Sequence, residues 1–269
     1  MFEDAFGQQH APVDGQARIV SLVPSVTELL FALGLAEQVV GRTGFCVHPR
    51  EEVRNVAKLG GTKDVDMPGL LALHPTHVIV NIDENTRPLF DALRAAMPHV
   101  IVTHPNSPHD NLALYELLGG IFRCAEAAER LAGELRNGLA QLESIRKDLP
   151  ARSVAYLIWR DPWMSVANDT YIARMLELIN WQVVAANSPA RYPELDDAEL
   201  AGLDLDMVLL SSEPYPFRDK HIKQVEALCD ASGAVHLVDG EMLSWYGSRA
   251  IAGLAYLRGL ANSLCVKAA

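Results

Sequence analysis

Short apolar, β-branched runs alternate along this chain with stretches whose apolar residues recur every three to four positions. RIVSLV (18–23) reads as a buried strand and the following PSVTELLFALG as a helix. Ser25 with Glu28 three positions on has the form of a capping box, and Gly34 supplies the stop. QVVGR, HVIVN and HVIVTH repeat the strand pattern, separated by LLAL and by the helix-like ENTRPLFDALRAAM. Strands that are apolar throughout and alternate with helices are buried on both faces, which is the mark of a parallel sheet. A second series begins at SVAYLIW (153–159) and runs through YIARMLELI, WQVV, DDAELAGL, DMVLLS, RDKHIKQVEALC and AVHLV to a final helix from about Ser248.

Between the two series Leu131, Leu135, Leu139, Leu142, Ile145 and Leu149 keep helical spacing. They predict one uninterrupted helix from about Arg123 to Pro150, with Gly119 and Gly120 separating it from a shorter one before it. At ~1.5 Å per residue such a helix extends about 40 Å and acts as a stiff strut. The fold class is therefore α/β, with two parallel-sheet lobes joined by a long interlobe helix. Residues 1–17 read as a disordered tail, 18–107 as the N-terminal lobe, 108–150 as connecting helices and 151–269 as the C-terminal lobe.

Bulk properties fit this division. The 269 residues are 49% hydrophobic and 21% charged, enough for two lobes that each bury a core. No apolar run approaches the roughly 18 residues that would span a bilayer, so membrane insertion is not expected. A formal charge of -11, with no offsetting Lys/Arg cluster, speaks against a nucleic-acid partner. MFEDAFGQQHAPVDGQA has neither the basic region nor the apolar stretch of a secretion signal. Cys46, Cys124, Cys229 and Cys265 are widely spaced and form no CxxC pair, which predicts free, mostly buried thiols.

Ligands of open parallel sheets bind beyond the carboxyl ends of the strands, so the loops there carry the candidate chemistry. In the first series these loops are Val23-Pro24-Ser25, TGFCVHP and NIDENTR. In the second they are WRDPWMSVANDTY, AANSPARYPEL, SSEPYPF and DGEMLSWYGSR. Trp159, Trp163 and Trp245 fall there with Tyr192, Tyr215 and Tyr246, and so many aromatics at one edge predict a pocket lining. The alternative for Trp159 and Trp245 is a core role closing the sheet edges. The same loops carry Lys63, Glu84, Arg160, Asp169, Glu213, Glu241 and Arg249. The guanidinium forks of Arg160 and Arg249 match a carboxylate-bearing ligand. Their alternative is pairing within the loops, Arg160 with Asp161 or Asp169 and Arg249 with Asp239 or Glu241.

The stretch TGFCVHPREEVRNVAKLGGTK (43–63) places Cys46 two residues from His48. Two ligands do not complete a tetrahedral site and no nearby HxxxH or carboxylate pair supplies the others, so no metal site is assigned. GGTK lacks the leading glycine of a phosphate loop. His74 and His77 in HPTH read as solvated or capped side chains. The chain has no GxSxG elbow, no GxGxxG after the first strand and no HExxH, so no catalytic residue is assigned and an enzyme is not expected.

RIVSLVPSVTELLFALGL, VGRTGFCVHP, KLGGTKDVDMPGLLALHPTHVIV, the long helix, and SSEPYPF with SWYGSR together resemble the helical-backbone substrate-binding proteins of ABC importers, the class that binds cobalamin and ferric siderophores. The resemblance runs from about Arg18 to Leu264. It implies a binding protein that holds a metal chelate, a corrinoid or a ferric siderophore, in a cleft between the lobes. It also implies a monomer whose other partner is an ABC permease. No cofactor is implied beyond cobalt or iron within the ligand. Phe45 aligns with an aromatic that faces ligand in cobalamin-binding relatives, and Lys63 occupies another cleft turn. Pro24, Glu84, Trp159, Arg160, Trp163, Tyr192, Glu213, Tyr215, Trp245, Tyr246 and Arg249 complete the expected contact set. Family members meet permease arginines with acids on each lobe. The equivalents here are Asp64 or Asp66 in DVDMPG, and Glu194, Asp197 or Glu199 in YPELDDAEL. The family implies a periplasmic location, and the alternative is a cytoplasmic enzyme or sensor acting on such a chelate.

Overall fold

The computed structural model describes residues 1–184, 189–230 and 233–265. The chain divides into two compact lobes. The first comprises Met1–Pro105, His109–Leu135 and Tyr246–Arg249, and the second Asn106–Pro108, Arg136–Trp245 and Ala250–Ala269.

The first lobe is built on a five-stranded parallel sheet. Its order is Ala57–Lys58, Val39–Arg42, Ile19–Ser21, His77–Asn81, Val100–Thr103. Val20, Leu22, Val78, Val80 and Val102 form its core with Leu70, Leu89, Phe90 and Leu93 from flanking helices. Each such side chain contributes roughly 1.5 to 3 kcal/mol on burial. The helix Pro24–Ala32 starts on proline at its first position, with Val23 as a cap that offers no side-chain bond. The expected Ser25–Glu28 capping box is therefore absent, because proline already removes one orphan N–H and fixes φ for the first turn. Gly34, at φ +80°, does end the helix region. LLAL lies within or just after a short helix, Met67–Ala72, whose Asp66 cap accepts the Gly69 N–H at 3.0 Å.

The second lobe carries a four-stranded parallel sheet in the order Trp181–Val183, Arg152–Leu157, Met207–Ser211, Val235–Val238. Ala155, Leu157, Val208 and Leu210 pack with Leu200, Phe217 and Val225. Thr170 caps the helix Tyr171–Glu177, and Asp196 with Glu199 forms a reciprocal capping box on Asp197–Ala201. The helices Asp219–Cys229 and Arg249–Cys265 complete the series. A two-stranded antiparallel ribbon, Trp163–Met164 with Glu194–Leu195, was not expected from the sequence pattern. The stretch AANSPARYPEL lies partly outside the described residues, at 185–188.

Further expectations need correction. The long helix is Ala125–Arg146, 22 residues, shorter at both ends than Arg123 to Pro150. Its start is set by Arg123 in the left-handed region at φ +56°, not by Gly119 and Gly120, which lie inside the preceding helix Asn111–Ile121. Gly119 is there for closeness: a Cβ on it would sit 2.5 Å from that of Ala128.

Another correction concerns residues 1–17, which are ordered rather than a tail. Phe2–Glu3 pairs with Gln9–His10 in a hairpin. Asp4, buried in the turn, accepts from the backbone N–H groups of Phe6, Gln8 and Val102 and lies 3.0 Å from His10 Nε2. The Ala5 N–H donates to the Val102 carbonyl, and Phe6 meets Phe90 edge-on at 4.8 Å. A polar composition suggested disorder, but a single buried carboxylate with four donors organises the segment. Burial raises the Asp4 pKa, yet the hydrogen bonds from His10, Val102, Gln8 and Phe6 outweigh it and hold the carboxyl below its usual value.

His77 is likewise not solvated. It is buried, stacked on His99 at 4.8 Å and edge-on to Phe122, and burial with the neighbouring His99 and His10 pulls its pKa down to about 4. His74 is exposed.

Two outcomes follow for stability. Asp4→Ala strands the donors that converge on the carboxylate and is expected to cost about 2 to 3 kcal/mol in urea unfolding at pH 7. His77 has a folded pKa below its ordinary 6.5, so the unfolded chain binds the proton more readily. Its contribution is complete above pH 6.5 and is lost as pH falls toward about 4, on the order of 3 kcal/mol. Urea titrations across that window should show the slope, and His77→Gln should flatten it. An equal slope in the variant would assign the effect to other groups.

Candidate functional site

In each sheet the chain order reverses once, and at that point two successive carboxyl-end loops diverge and leave a crevice. In the first lobe the reversal lies between Ile19–Ser21 and His77–Asn81. The loops there are Leu22-Val23-Pro24 and Ile82–Thr86. Asn85, which sequence reading passed over, ties them. Its Oδ1 accepts the Asn81 N–H at 2.8 Å, and its Nδ2 donates to the carbonyls of Leu22 (3.3 Å) and Thr62 (2.8 Å). One amide side chain thus fixes the loops after three strands, and Lys63, exposed, follows directly on Thr62. Pro24 is half-buried at the helix start.

The Thr43–Pro49 loop joins the same edge. Cys46 is buried, and its thiol accepts from Thr27 Oγ1 at 3.1 Å and sits 3.2 Å from Thr43 Oγ1. Burial pushes the thiol pKa up, although those bonds oppose it. Cys46 is therefore an anchor for the loop. Phe45, next to it, is 64% exposed and lies against Gly61, whose Cβ would be 3.5 Å from the ring. Among the described residues no group of three or more His, Cys, Asp or Glu side chains is placed to hold a metal ion.

SWYGSR does not belong wholly to the second lobe. Tyr246–Arg249 packs into the first, while Trp245 stays in the second. Gly247, at φ +78°, approaches the Ser25 carbonyl so closely that a Cβ would lie 3.0 Å from it. Asn111 Oδ1 accepts its N–H at 2.6 Å, and Tyr115 Oη donates to its carbonyl at 2.9 Å. Flanking it, the buried Tyr246 donates its hydroxyl to Glu84 at 2.6 Å, and burial with this carboxylate drives the phenol pKa well up. Arg249 makes a two-pronged ion pair with Glu28, both bonds 2.8 Å. This partner is the residue that had been expected to cap the first helix.

In the second lobe the order reverses between Arg152–Leu157 and Met207–Ser211, bringing Trp159 and Arg160 to the same edge as Glu213 and Tyr215. Trp159 is 41% exposed and meets Tyr215 edge-on at 5.7 Å. Arg160 pairs with Asp161 at 3.2 Å and lies 5.6 Å from the Trp163 ring. Trp163 itself leaves the candidate lining: it is 4% exposed, stacks near Phe217 and donates its indole N–H to Asp197 at 2.7 Å. Its place on the antiparallel ribbon turns it inward. Glu213 accepts from the Trp245 indole (2.7 Å) and the Ser244 hydroxyl (3.0 Å), and burial raises its carboxyl pKa despite them. Asp169 is engaged by Arg191 at 3.0 Å, and Tyr192 beside it is exposed.

The expected docking acids are all exposed. Asp66 caps its helix, Asp64 takes the Gly61 N–H on its carbonyl, Glu194 lies on the ribbon and Glu199 closes the capping box. Cys124 and Cys229 are free and half-buried, and the Cys265 side chain lies outside the described residues.

Comparison with known proteins agrees with this architecture. The chain is 24% identical over 267 residues to the uncharacterized ABC transporter substrate-binding lipoprotein YvrC of Bacillus subtilis (strain 168), covering 95% of this chain and 83% of that one. The crystal structure of the periplasmic vitamin B12 binding protein BtuF of Vibrio cholerae superposes with a TM-score of 0.80 at 17% identity, over 92% of this chain and 98% of BtuF. S. aureus IsdE complexed with heme gives 0.77 at 17% identity, over 92% and 99%. Residues 19–231 match the family model described as periplasmic binding protein, and the chain belongs to that family.

Proposed function

We propose that this protein is the substrate-binding component of an ABC-type importer and carries a metal chelate of corrinoid, heme or ferric-siderophore type. The observation that carries the ligand class is the aromatic character of the strand-end loops. Phe45 at the strand-end edge of the first lobe, and separately Trp159, Tyr215 and Trp245 at that of the second, are rings of the kind on which a large, flat ligand stacks. Such rings gain from stacking and apolar burial, whereas charge recognition needs forks left open for the ligand. Here Arg249 is engaged by Glu28, Glu84 by Tyr246 and Glu213 by Trp245 and Ser244. The loops' charges hold the loops first, so ring contacts supply most of the affinity and the charge of the chelate matters less than the sequence suggested.

The names of the relatives support the same class, since they include vitamin B12-binding and heme-binding proteins. The family supports binding without turnover and a periplasmic or membrane-anchored extracytoplasmic location. No described helix is long and apolar enough to cross a membrane. The permease would be met by the exposed acids Asp64 or Asp66 and Glu194 or Glu199.

Titrations with cyanocobalamin and with hemin, followed by absorbance and calorimetry, test the ligand reading. Trp159→Ala and Phe45→Ala should each weaken the chelate that binds by roughly tenfold or more, the equivalent of about 1.5 kcal/mol or more of lost ring burial, with the melting temperature unchanged. Unaltered affinity in both variants would remove the strand-end loops as the binding surface.

Arg249→Ala should behave in the opposite way. It leaves Glu28 half-buried without its fork and is expected to cost roughly 2 kcal/mol of stability, partly recovered in the Glu28→Gln/Arg249→Ala double variant. Normal unfolding with selectively lost chelate affinity would instead return Arg249 to the contact set.

A further inference from the structure

His221 takes no part in the contact set, yet it is buried beneath it. It stands at the third position of the helix Asp219–Cys229, where its Nδ1 lies 2.8 Å from the Arg218 backbone nitrogen. A backbone N–H only donates, so Nδ1 must be the acceptor, and the neutral ring carries its proton on Nε2. Nε2 lies 3.4 Å from the Tyr215 hydroxyl, which therefore receives that proton in a long hydrogen bond. The imidazole also meets the Tyr215 ring at 5.5 Å and the Phe217 ring at 5.4 Å, edge-on to each. Tyr215 in turn packs edge-on against Trp159, and its backbone N–H donates to the carbonyl of Ile158, the residue before Trp159.

We propose that His221 is a positioning residue for the ligand surface: its two nitrogens join the start of the Asp219–Cys229 helix to Tyr215, and through Tyr215 they hold Trp159 in the orientation that meets the chelate. This rests on the proposed role of the strand-end aromatics. The physical reason is entropic. An exposed indole that must present one face to a ligand loses rotamer freedom on binding unless a packed neighbour has already restricted it. Tyr215 is that neighbour, and it is itself half-exposed, so its own orientation needs an anchor. The buried imidazole supplies one from the side away from solvent.

Substitutions can separate the two bonds. Asparagine at 221 places an amide oxygen where Nδ1 stood, so it preserves the bond to Arg218 but does not reach Tyr215. Tyr215→Phe removes the hydroxyl at the other end and leaves the cap untouched. His221→Asn should stay folded and lose about fivefold in affinity for cyanocobalamin or hemin, whichever the wild type binds, a loss of the size of ordering one more side chain on binding. Tyr215→Phe should show the same fivefold loss, and His221→Asn should add nothing in that background.

Two ligand-independent readings accompany the titrations. Nitrogen-15 NMR of the ring should show protonated Nε2 and an unprotonated Nδ1 at pH 8, and the Trp159 indole resonance should shift in His221→Asn as the Tyr215 ring current moves. A proton on Nδ1, an unmoved Trp159 resonance, or independent losses that multiply in the double variant would overturn the proposal. Trp159→Ala distinguishes the two levels. If it leaves affinity intact, the reading of the strand-end loops fails. If it weakens binding while His221→Asn does not, that reading stands and only the positioning role falls.

Discussion

Parallel pairing is the constraint from which the rest of this molecule follows. Every strand of a parallel sheet leaves its carboxyl end at the same edge, so loops far apart in sequence must gather there, and reversal of strand order opens a gap between two of them. Each lobe contains one such reversal, after Ser21 and Asn81 in the first and after Leu157 and Ser211 in the second. What occupies those four positions is then a matter of side chains. In the first lobe Asn85 closes three loops together with amide bonds. In the second, Trp159, Tyr215 and Phe217 close theirs with ring contacts.

The charges at these edges obey a second constraint. A carboxylate or guanidinium that is partly withdrawn from water must be paired or hydrogen-bonded, or it costs several kcal/mol. Glu213, Glu84 and Arg249 all meet that demand within their own lobe. The same bonds give the loops defined positions before any ligand arrives, which lowers the ordering cost of binding. The three functions that sequence reading assigned to such residues, ligand contact, capping and loop pairing, are in practice divided differently. Glu28 pairs with an arginine 221 residues away instead of capping its own helix, and Glu199 caps its own helix while remaining exposed.

The match between pattern and structure follows the range of the forces involved. Strands such as HVIVN and DMVLLS are legible because a sheet covered on both faces demands apolar residues at every position. The helices ENTRPLFDALRAAM and RDKHIKQVEALC are legible because a single buried face imposes the 3.6 period. The loop edge was legible too, since parallel topology alone places it. The elements that escaped notice are those held by few or distant contacts. The two-residue strand Ala57–Lys58 leans on one neighbour. The hairpin at Phe2–His10 depends on Asp4 meeting the Val102 N–H, 98 residues on.

The sequence by itself thus determined the α/β class, the two successive series of strands and helices, and the edge where polar and aromatic loops collect. These rest on local periodicity and on rules of connection that hold for any chain of this pattern. Only the tertiary structure decided which of the loop residues point outward and which are consumed in holding the loops. Trp159 and Trp163 stand four positions apart in one loop, yet one is exposed and the other is core. The difference arises because Trp163 pairs with Leu195, a strand partner supplied from elsewhere in the chain, and that pairing turns its ring into the apolar cluster. Likewise Tyr246–Arg249 follows the second series in sequence but packs with the first lobe. The reason is that Asn111 and Tyr115 satisfy the backbone of Gly247 there, and nothing in local spacing announces a partner so far away.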